Sequence, residues 1–243
     1  MWWLFHVFVA IHIATGAVGL VTFWMPVIGR KGAKPHRRYG DVFARCILIA
    51  GIAALCMSLC TLAAPLDTHP RFTDATLVRG IFGWMMLYLS VLTISLVWHG
   101  TRVVMNKNNH RANRATFPVA LQIAAILTAL TCEIIGLITN QPLMMGIPLV
   151  GVASGLTNLR FIYNDAPTRL AYVKEHLKSS VGAGISVYTA FMTFGLARLL
   201  PSQAFNPTLW AIPIVIGISI ISWHTWRLRE PKRATSNAAA QPH

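Results

Sequence analysis

The chain has 243 residues, of which 55% are hydrophobic and only 12% are charged, with a formal net charge of +14. A water-soluble domain carries roughly 25% charged residues. This composition therefore excludes a soluble surface of normal size and indicates a protein that lies in lipid. The positive charge needs no nucleic acid to explain it, because basic residues accumulate beside membranes through the topology rule and on anionic lipids. We expect no nucleic-acid partner.

Seven apolar runs have about the length that a helix needs to span a bilayer, which is about 20 residues. They cover residues 3–25, 43–64, 80–99, 117–138, 143–159, 182–200 and 208–226. The fifth run is interrupted by three glycines and a proline, so a kinked or half-inserted segment is an alternative there. The runs do not alternate in polarity as transmembrane strands do. The sequence predicts an all-α polytopic helix bundle, one domain over residues 1–233, with a disordered tail at 234–243.

Lys and Arg are concentrated in alternate connections between these runs. The stretches 26–41, 100–116 and 160–181 carry five, four and four of them, and four more follow the last run. With seven crossings, all four basic segments fall on one side of the membrane. The positive-inside rule makes that side cytoplasmic and the N-terminus external. We expect a multi-pass protein of the bacterial inner membrane, with anionic lipid as its partner at the cytoplasmic face.

A few ionisable residues lie within predicted spans, where such groups are costly and mark candidate functional sites, and two of them lie deep in the membrane. Glu133 lies about 9 Å from the external end of the fourth run, and His12 lies about 14 Å from that of the first. His12 shares a helical stripe with Gly16 and Gly19, which indicates that it faces neighbouring helices. If those helices adjoin, His12 and Glu133 form a pair. That pair would be a structural contact, a proton-relay step, or part of a metal or haem site.

A Trp-His-x-x-Arg motif ends both the third and the seventh runs. Its polar members are His99, Arg102, His224 and Arg227. Tryptophan anchors with an adjacent arginine at the membrane interface explain the motif, and an internal duplication of the kind found in transporters is the alternative. In a functional interpretation the two histidines face each other. They then hold a metal or a haem edge, or they bind an anionic headgroup together with the two arginines.

The first basic connection, residues 31–40, contains His36 and Arg37. Its proline and glycines predict a turn rather than a helix. A histidine among cations tends toward neutrality, since like charges disfavour protonation. His36 is therefore a candidate metal ligand or proton acceptor, and a solvated loop is the alternative.

Several short motifs of this chain recur together elsewhere. They are His12-x3-Gly16, Lys31-Gly32, His36-Arg37 with Gly40, and His176 at the start of the sixth span followed by Tyr188-Thr-Ala-Phe191. In these motifs the chain resembles a family of bacterial predicted membrane proteins classed as a domain of unknown function. That family often has Arg-Met soon after the last histidine, where this chain has Lys178-Ser179. The resemblance implies no established activity, but it implies that His12, His36, Arg37 and His176 belong to one site or structural plan.

Three functions remain open from the residues, and whether the chain is an enzyme remains open with them. The preferred one is a redox membrane protein associated with haem, a metal ion or a quinone, with histidines as axial ligands. The second is a proton-coupled transporter or channel with His12 and Glu133 as the relay. The third is a non-catalytic membrane subunit or scaffold. No span contains the lysine that a retinal protein needs, and no P-loop, Rossmann or serine-hydrolase motif occurs.

The histidines fall into two predicted layers. His36, His99, His176 and His224 lie at the cytoplasmic boundary, whereas His12 lies with Glu133 in the external half. If the four boundary histidines belong to one site, they should approach one another on the basic side of the bundle.

Overall fold

The structure is a computed structural model that describes residues 2–195 and 207–228. These residues are helical throughout, apart from short connections, and contain no strand. The α-helices are α1 (Trp2–Ile28), α2 (Lys34–Ala63), α3 (Pro65–Thr68), α4 (Ala75–Val78), α5 (Met86–Met105), α6 (Thr116–Thr139), α7 (Ile147–Ile162), α8 (Arg169–Ala190) and α9 (Pro207–Arg227). The predicted all-α class is confirmed. The predicted tail, 234–243, lies outside the described residues.

Shorter helical segments of other types continue these helices. Two π-helical segments, Arg79–Met85 and Phe191–Gly195, join α4 to α5 and extend α8. Two 3₁₀ segments, His110–Arg114 and Pro142–Met144, precede α6 and α7. Helical structure is therefore continuous from residue 75 to residue 105.

Five helical stretches are long and apolar enough to cross a membrane. They are Trp2–Ile28, Lys34–Ala63, Ala75–Met105, Thr116–Thr139 and Pro142–Ile162. They are compatible with a multi-pass membrane protein, which the composition predicted. The count of seven crossings, which needs α8 and α9 as the last two, stays a prediction.

The Ala75–Met105 stretch forms the centre of the bundle. Of its most apolar part, 72% is buried, against 11% for Trp2–Ile28 at the periphery. Helix α5 packs against α2, α6 and α8, while α1, α7 and α9 pack on the far sides of α2, α6 and α8. Large apolar side chains such as Trp3 and Val21 of α1 stay exposed. Lipid would cover them, since contiguous apolar surface of this kind is rare on soluble monomers.

Two connections are shorter than the sequence predicted. The turn predicted for residues 31–40 is wrong beyond Ala33, because α2 begins at Lys34 and has Pro35 in its first turn. A proline there costs nothing, since the first helical N–H groups have no partner in the helix. The stretch 160–181 is likewise mostly helical, because α8 begins at Arg169, where the Thr168 hydroxyl accepts the Ala171 N–H at 3.2 Å.

One end of the bundle gathers the basic connections. We call this end, formed by residues 29–41, 99–115 and 163–178 and the last turns of α9, the basic face. Contacts tie its parts together: Arg114 bonds Asp165 at 2.7 Å, and Lys31 lies within electrostatic reach of His224. The other end, with residues 64–74 and 140–146, is the opposite face. That the basic face is cytoplasmic stays a prediction.

Candidate functional site

A buried charged network joins α5 to α8 near the basic face. The Glu175 carboxylate accepts a hydrogen bond from His99 Nε2 at 3.1 Å and another from Lys178 Nζ at 2.6 Å. The His99 side chain is 3% exposed and that of Glu175 is 12% exposed. Ionisable groups this deep are costly unless they are paired. Mutual pairing therefore holds this network in place.

The hydrogen bond fixes the tautomer of His99. A carboxylate accepts hydrogen bonds and does not donate them, so Nε2 carries the hydrogen. In the neutral ring Nδ1 is then the acceptor, and protonation there gives an imidazolium beside the Glu175 carboxylate. The hydrogen bond to Glu175 therefore leaves Nδ1 as the ring nitrogen of His99 that can accept a proton.

Further buried polar side chains lie on α5 and on the helices α6, α7 and α8, and we call this set the polar seam. Its members are Ser90, Thr93, Ser95, Gln122, Asn158, Ser179, Ser186 and Thr189, all of them buried. Thr93 and Ser186 share a hydrogen bond of 2.6 Å between their hydroxyl oxygens. Such polar groups inside a membrane bundle are expensive and mark candidate pathways for ions or protons.

The inner part of the seam is a cluster of three side chains from three helices. Gln122 Oε1 accepts from Ser95 Oγ at 3.0 Å and from Asn158 Nδ2 at 2.9 Å. Next to Asn158, the Thr157 hydroxyl accepts from Lys178 Nζ at 3.2 Å. The cluster therefore lies beside the His99–Glu175–Lys178 network.

Four polar atoms of the seam have no hydrogen-bond partner in the part of the chain that the structure describes. They are Gln122 Nε2, Asn158 Oδ1, Ser179 Oγ and Thr189 Oγ1. Buried polar atoms are nearly always bonded to protein or to ordered water. These atoms are therefore buried polar groups of the seam whose hydrogen bonds are unsatisfied by the described residues.

Three of the four predicted boundary histidines meet at the basic face. His36 lies within electrostatic reach of His176 and Lys31, and Lys31 lies within reach of His224. We call these four residues the histidine cluster. His99 is near it, because His176 Nδ1 donates to the carbonyl of the adjacent Gly100 at 2.7 Å. The His99 ring itself bonds Glu175 instead.

The two Trp-His-x-x-Arg motifs share a local contact. Arg102 lies over the Trp98 ring at 4.6 Å, and Arg227 lies over the Trp223 ring at 4.5 Å. This cation–π contact, one helical turn apart, explains the tryptophan and the arginine of each motif. Arg37, the other arginine singled out by the sequence, is exposed.

The metal or haem interpretation of His99 and His224 finds no support in the geometry. His99 bonds Glu175, whereas the charged neighbours of His224 are Lys31 and Arg227. Among residues 2–195 and 207–228, no group of three or more His, Cys, Asp or Glu side chains is arranged to hold a metal ion.

The structure does not bring His12 and Glu133 together. His12 Nδ1 donates to the Ala50 carbonyl of α2 at 2.9 Å. Both Glu133 oxygens accept the Gly146 N–H, at 3.0 and 2.9 Å. The similar depths of His12 and Glu133 did not predict a contact between them, because α1 packs on α2, whereas α6 packs on α5 and α7. Each side chain bonds a backbone group closer at hand.

Sequence reasoning missed the partners that complete the site. Glu175 and Lys178 lie in the stretch 160–181, which the sequence predicts as a connection, and no pairing of the two residues is predicted there. Gln122 and Asn158 carried a usable signal, since an amide within an apolar run is unusual and needs a partner when it is buried.

The chain matches no protein-family model, no curated protein and no solved structure. The resemblance of its histidine motifs to a family of bacterial membrane proteins therefore stays a prediction.

Proposed function

We propose that this chain is a proton-coupled transporter of the bacterial inner membrane, with seven crossings and the basic face in the cytoplasm. Its exchanging proton is carried by His99, with Glu175 as the fixed counter-charge. The observation that carries the proposal is the buried imidazole–carboxylate pair near the basic face, beside the polar seam. Histidine suits this role because its ordinary pKa lies near neutral pH.

The proton step needs only groups that the chain provides, together with water. A proton reaches His99 from water at the basic face and forms an N–H bond at Nδ1. The imidazolium is balanced by Glu175, and the Lys178 ammonium keeps that carboxylate in place. When the proton leaves Nδ1 it passes to water in the seam. Hydroxyls such as those of Thr93 and Ser186 both donate and accept, so they can relay it in either direction.

The helices that carry the pair also contain segments suited to movement. The π-helical segment Arg79–Met85 leads into α5, and Phe191–Gly195 continues α8. Both lie toward the opposite face, away from His99 and Glu175. Single-turn π-helical segments inside α-helices are frequent at functional sites. Their place on these two helices supports a change in packing between α5 and α8 during transport.

We do not propose the redox function that the sequence favours. It required histidines arranged as joint ligands, but the His99 ring bonds Glu175, and no group of three or more His, Cys, Asp or Glu side chains in the described chain is arranged to hold a metal ion. His36 donates to the Pro26 carbonyl and His176 to that of Gly100. These bonds orient both rings within the bundle.

Charge displacement after a pH jump tests the proposal on protein reconstituted in liposomes on a solid-supported membrane. We expect a transient current from the wild-type protein, because protons bind within the membrane field. His99→Gln should abolish it. Asp165→Asn is the matched control, since Asp165 is an exposed carboxylate of the same face and should leave the current unchanged. A current of equal size in His99→Gln would refute the proposal.

A further inference from the structure

The histidine cluster gathers basic groups from four parts of the chain. Lys31 comes from the connection before α2, His36 from the first turn of α2, His176 from α8 and His224 from the last turns of α9. Their electrostatic neighbours are other basic groups: His36 interacts with His176 and Lys31, and His224 interacts with Lys31 and Arg227. The cluster therefore gathers four basic side chains at one place on the basic face, and a bound anion would relieve their mutual repulsion.

The carboxylates of the described chain are engaged elsewhere or lie at the other end. On the basic face, Asp41 pairs with Arg45, Asp165 pairs with Arg114, and Glu175 pairs with His99 and Lys178. Asp67 and Asp74 belong to the opposite face, and Glu133 caps the turn at Gly146. The seventh acidic residue, Glu230, lies outside the described residues. Within residues 2–195 and 207–228, no carboxylate neutralises the histidine cluster.

Hydrogen bonds orient two of the imidazoles in the same way. His36 Nδ1 donates to the Pro26 carbonyl at 3.2 Å, and His176 Nδ1 donates to the Gly100 carbonyl at 2.7 Å. The Nε2 atom of each ring has no partner among the described residues and becomes a donor when the ring is protonated. The Lys31 ammonium donates hydrogen bonds to the carbonyls of Pro26 and Val27. The third of its N–H groups is left to donate to a ligand.

We infer that the histidine cluster binds a phosphate group, carried either by the headgroup of an anionic phospholipid or by a free phosphate ion. A phosphate offers several acceptor oxygens and negative charge, and it forms short charge-assisted hydrogen bonds with ammonium and imidazolium donors. Burial lowers the pKa of Lys31, and a bound anion would offset that effect by favouring its charged form. The inference rests on the cluster and not on His99, so it stands or falls separately from the proposed proton step.

Two binding measurements on the purified full-length chain distinguish the sources. In the first, native mass spectrometry counts the phosphatidylglycerol molecules retained by protein in detergent, with phosphatidylcholine as the comparison lipid. In the second, calorimetry titrates inorganic phosphate into lipid-free protein. Retention of phosphatidylglycerol over phosphatidylcholine, without phosphate binding, identifies a lipid site. Saturable binding of inorganic phosphate identifies a site for a soluble anion.

Variants of the cluster connect the binding to these residues. Lys31→Gln should weaken binding about fivefold, the effect of one basic residue near a charged membrane surface, and Lys31→Arg should retain it. His224→Gln should also weaken binding, and its side chain has no hydrogen bond to lose in the described chain. Lys107→Gln is the matched control, because Lys107 is an exposed lysine of the same face outside the cluster. Absence of binding in both measurements, or equal weakening by Lys107→Gln, would overturn the inference.

Discussion

Glu175 and Asp165 are both carboxylates of the basic face, but their surroundings differ. Asp165 is 91% exposed, and the hydrogen bond and charge of Arg114 hold its pKa below the usual range. Water screens such a pair, so it contributes little to stability. Glu175 is nearly buried and is the shared acceptor for His99 and Lys178. Its removal leaves the buried His99 and the partly exposed Lys178 without their shared acceptor.

Replacement of Glu175 by alanine should therefore destabilise the bundle strongly. Breaking a buried ion pair by removing one partner costs about 3–5 kcal/mol. We expect Glu175→Ala to lower the thermal unfolding midpoint of the protein in detergent by several degrees. The control, Asp165→Ala, should leave the midpoint almost unchanged. Similar midpoints for the two variants would show that the buried network does not hold α5 to α8.

At the residue scale, the sequence identified groups but not their partners. Histidines in apolar surroundings can be identified from the sequence, and four of them lie at the basic face. The acceptor of His99 could not be predicted, because helical periodicity does not say which helices adjoin. Glu133 shows the same limit: it bonds Gly146 in a turn 13 residues away, where φ is +85° and glycine is favoured.

At the scale of elements, the connection between α2 and α4 is organised around His69. Its ring packs against the rings of Phe5, Phe72 and Phe82 and lies 3.0 Å from the Thr68 hydroxyl. Burial lowers the pKa of His69 to about 4. The ring is therefore neutral in the folded protein near neutral pH. This aromatic packing ties the connection to the first helix.

Acidification should weaken this connection. In the unfolded chain His69 takes up a proton near pH 6.5, whereas in the folded protein it does so only near pH 4. The stability that depends on the neutral ring is present above pH 6.5 and is lost as the pH falls toward 4. The loss amounts to about 3 kcal/mol at most.

The unfolding midpoint, followed from pH 7 to pH 4 in wild type and in His69→Phe, measures this effect. The variant keeps an aromatic ring but has no titratable group. We therefore expect its midpoint to fall less than that of the wild type across this range. If the unfolding midpoints of the two proteins fall equally with pH, protonation of His69 does not affect stability.

The helices themselves were largely predictable, and their ends were not. Apolar runs located the five helices that are candidate membrane spans, because a helix needs about 20 apolar residues to cross a bilayer. Helices α2 and α8 begin 9 and 13 residues before their apolar runs, which start at residues 43 and 182. Charged residues can continue a helix into the interface without entering lipid. Because of that extension, Glu175 and His176 lie on α8, which also carries part of the polar seam.

At the scale of the whole molecule, all basic connections lie at one end of the bundle. Connections of this kind remain on the cytoplasmic side when a chain inserts. The orientation can be tested by thiol labelling in a variant whose four native cysteines are replaced. We expect Asp67→Cys, on the opposite face, to react with a membrane-impermeant maleimide on intact cells. Asp165→Cys should react only after the membrane is permeabilised, and the reverse pattern would invert the orientation.

The central claim is that water and protons reach the polar seam from the basic face, and thiol reactivity inside the seam tests it most directly. Ser179 and Val181 are both buried on α8, but Ser179 belongs to the seam and Val181 to the apolar core. In the cysteine-free background, a small impermeant thiol reagent is added to vesicles with the basic face outward. We predict that Ser179→Cys reacts and that Val181→Cys does not. Equal reactivity, or no reaction at Ser179→Cys, would contradict the claim.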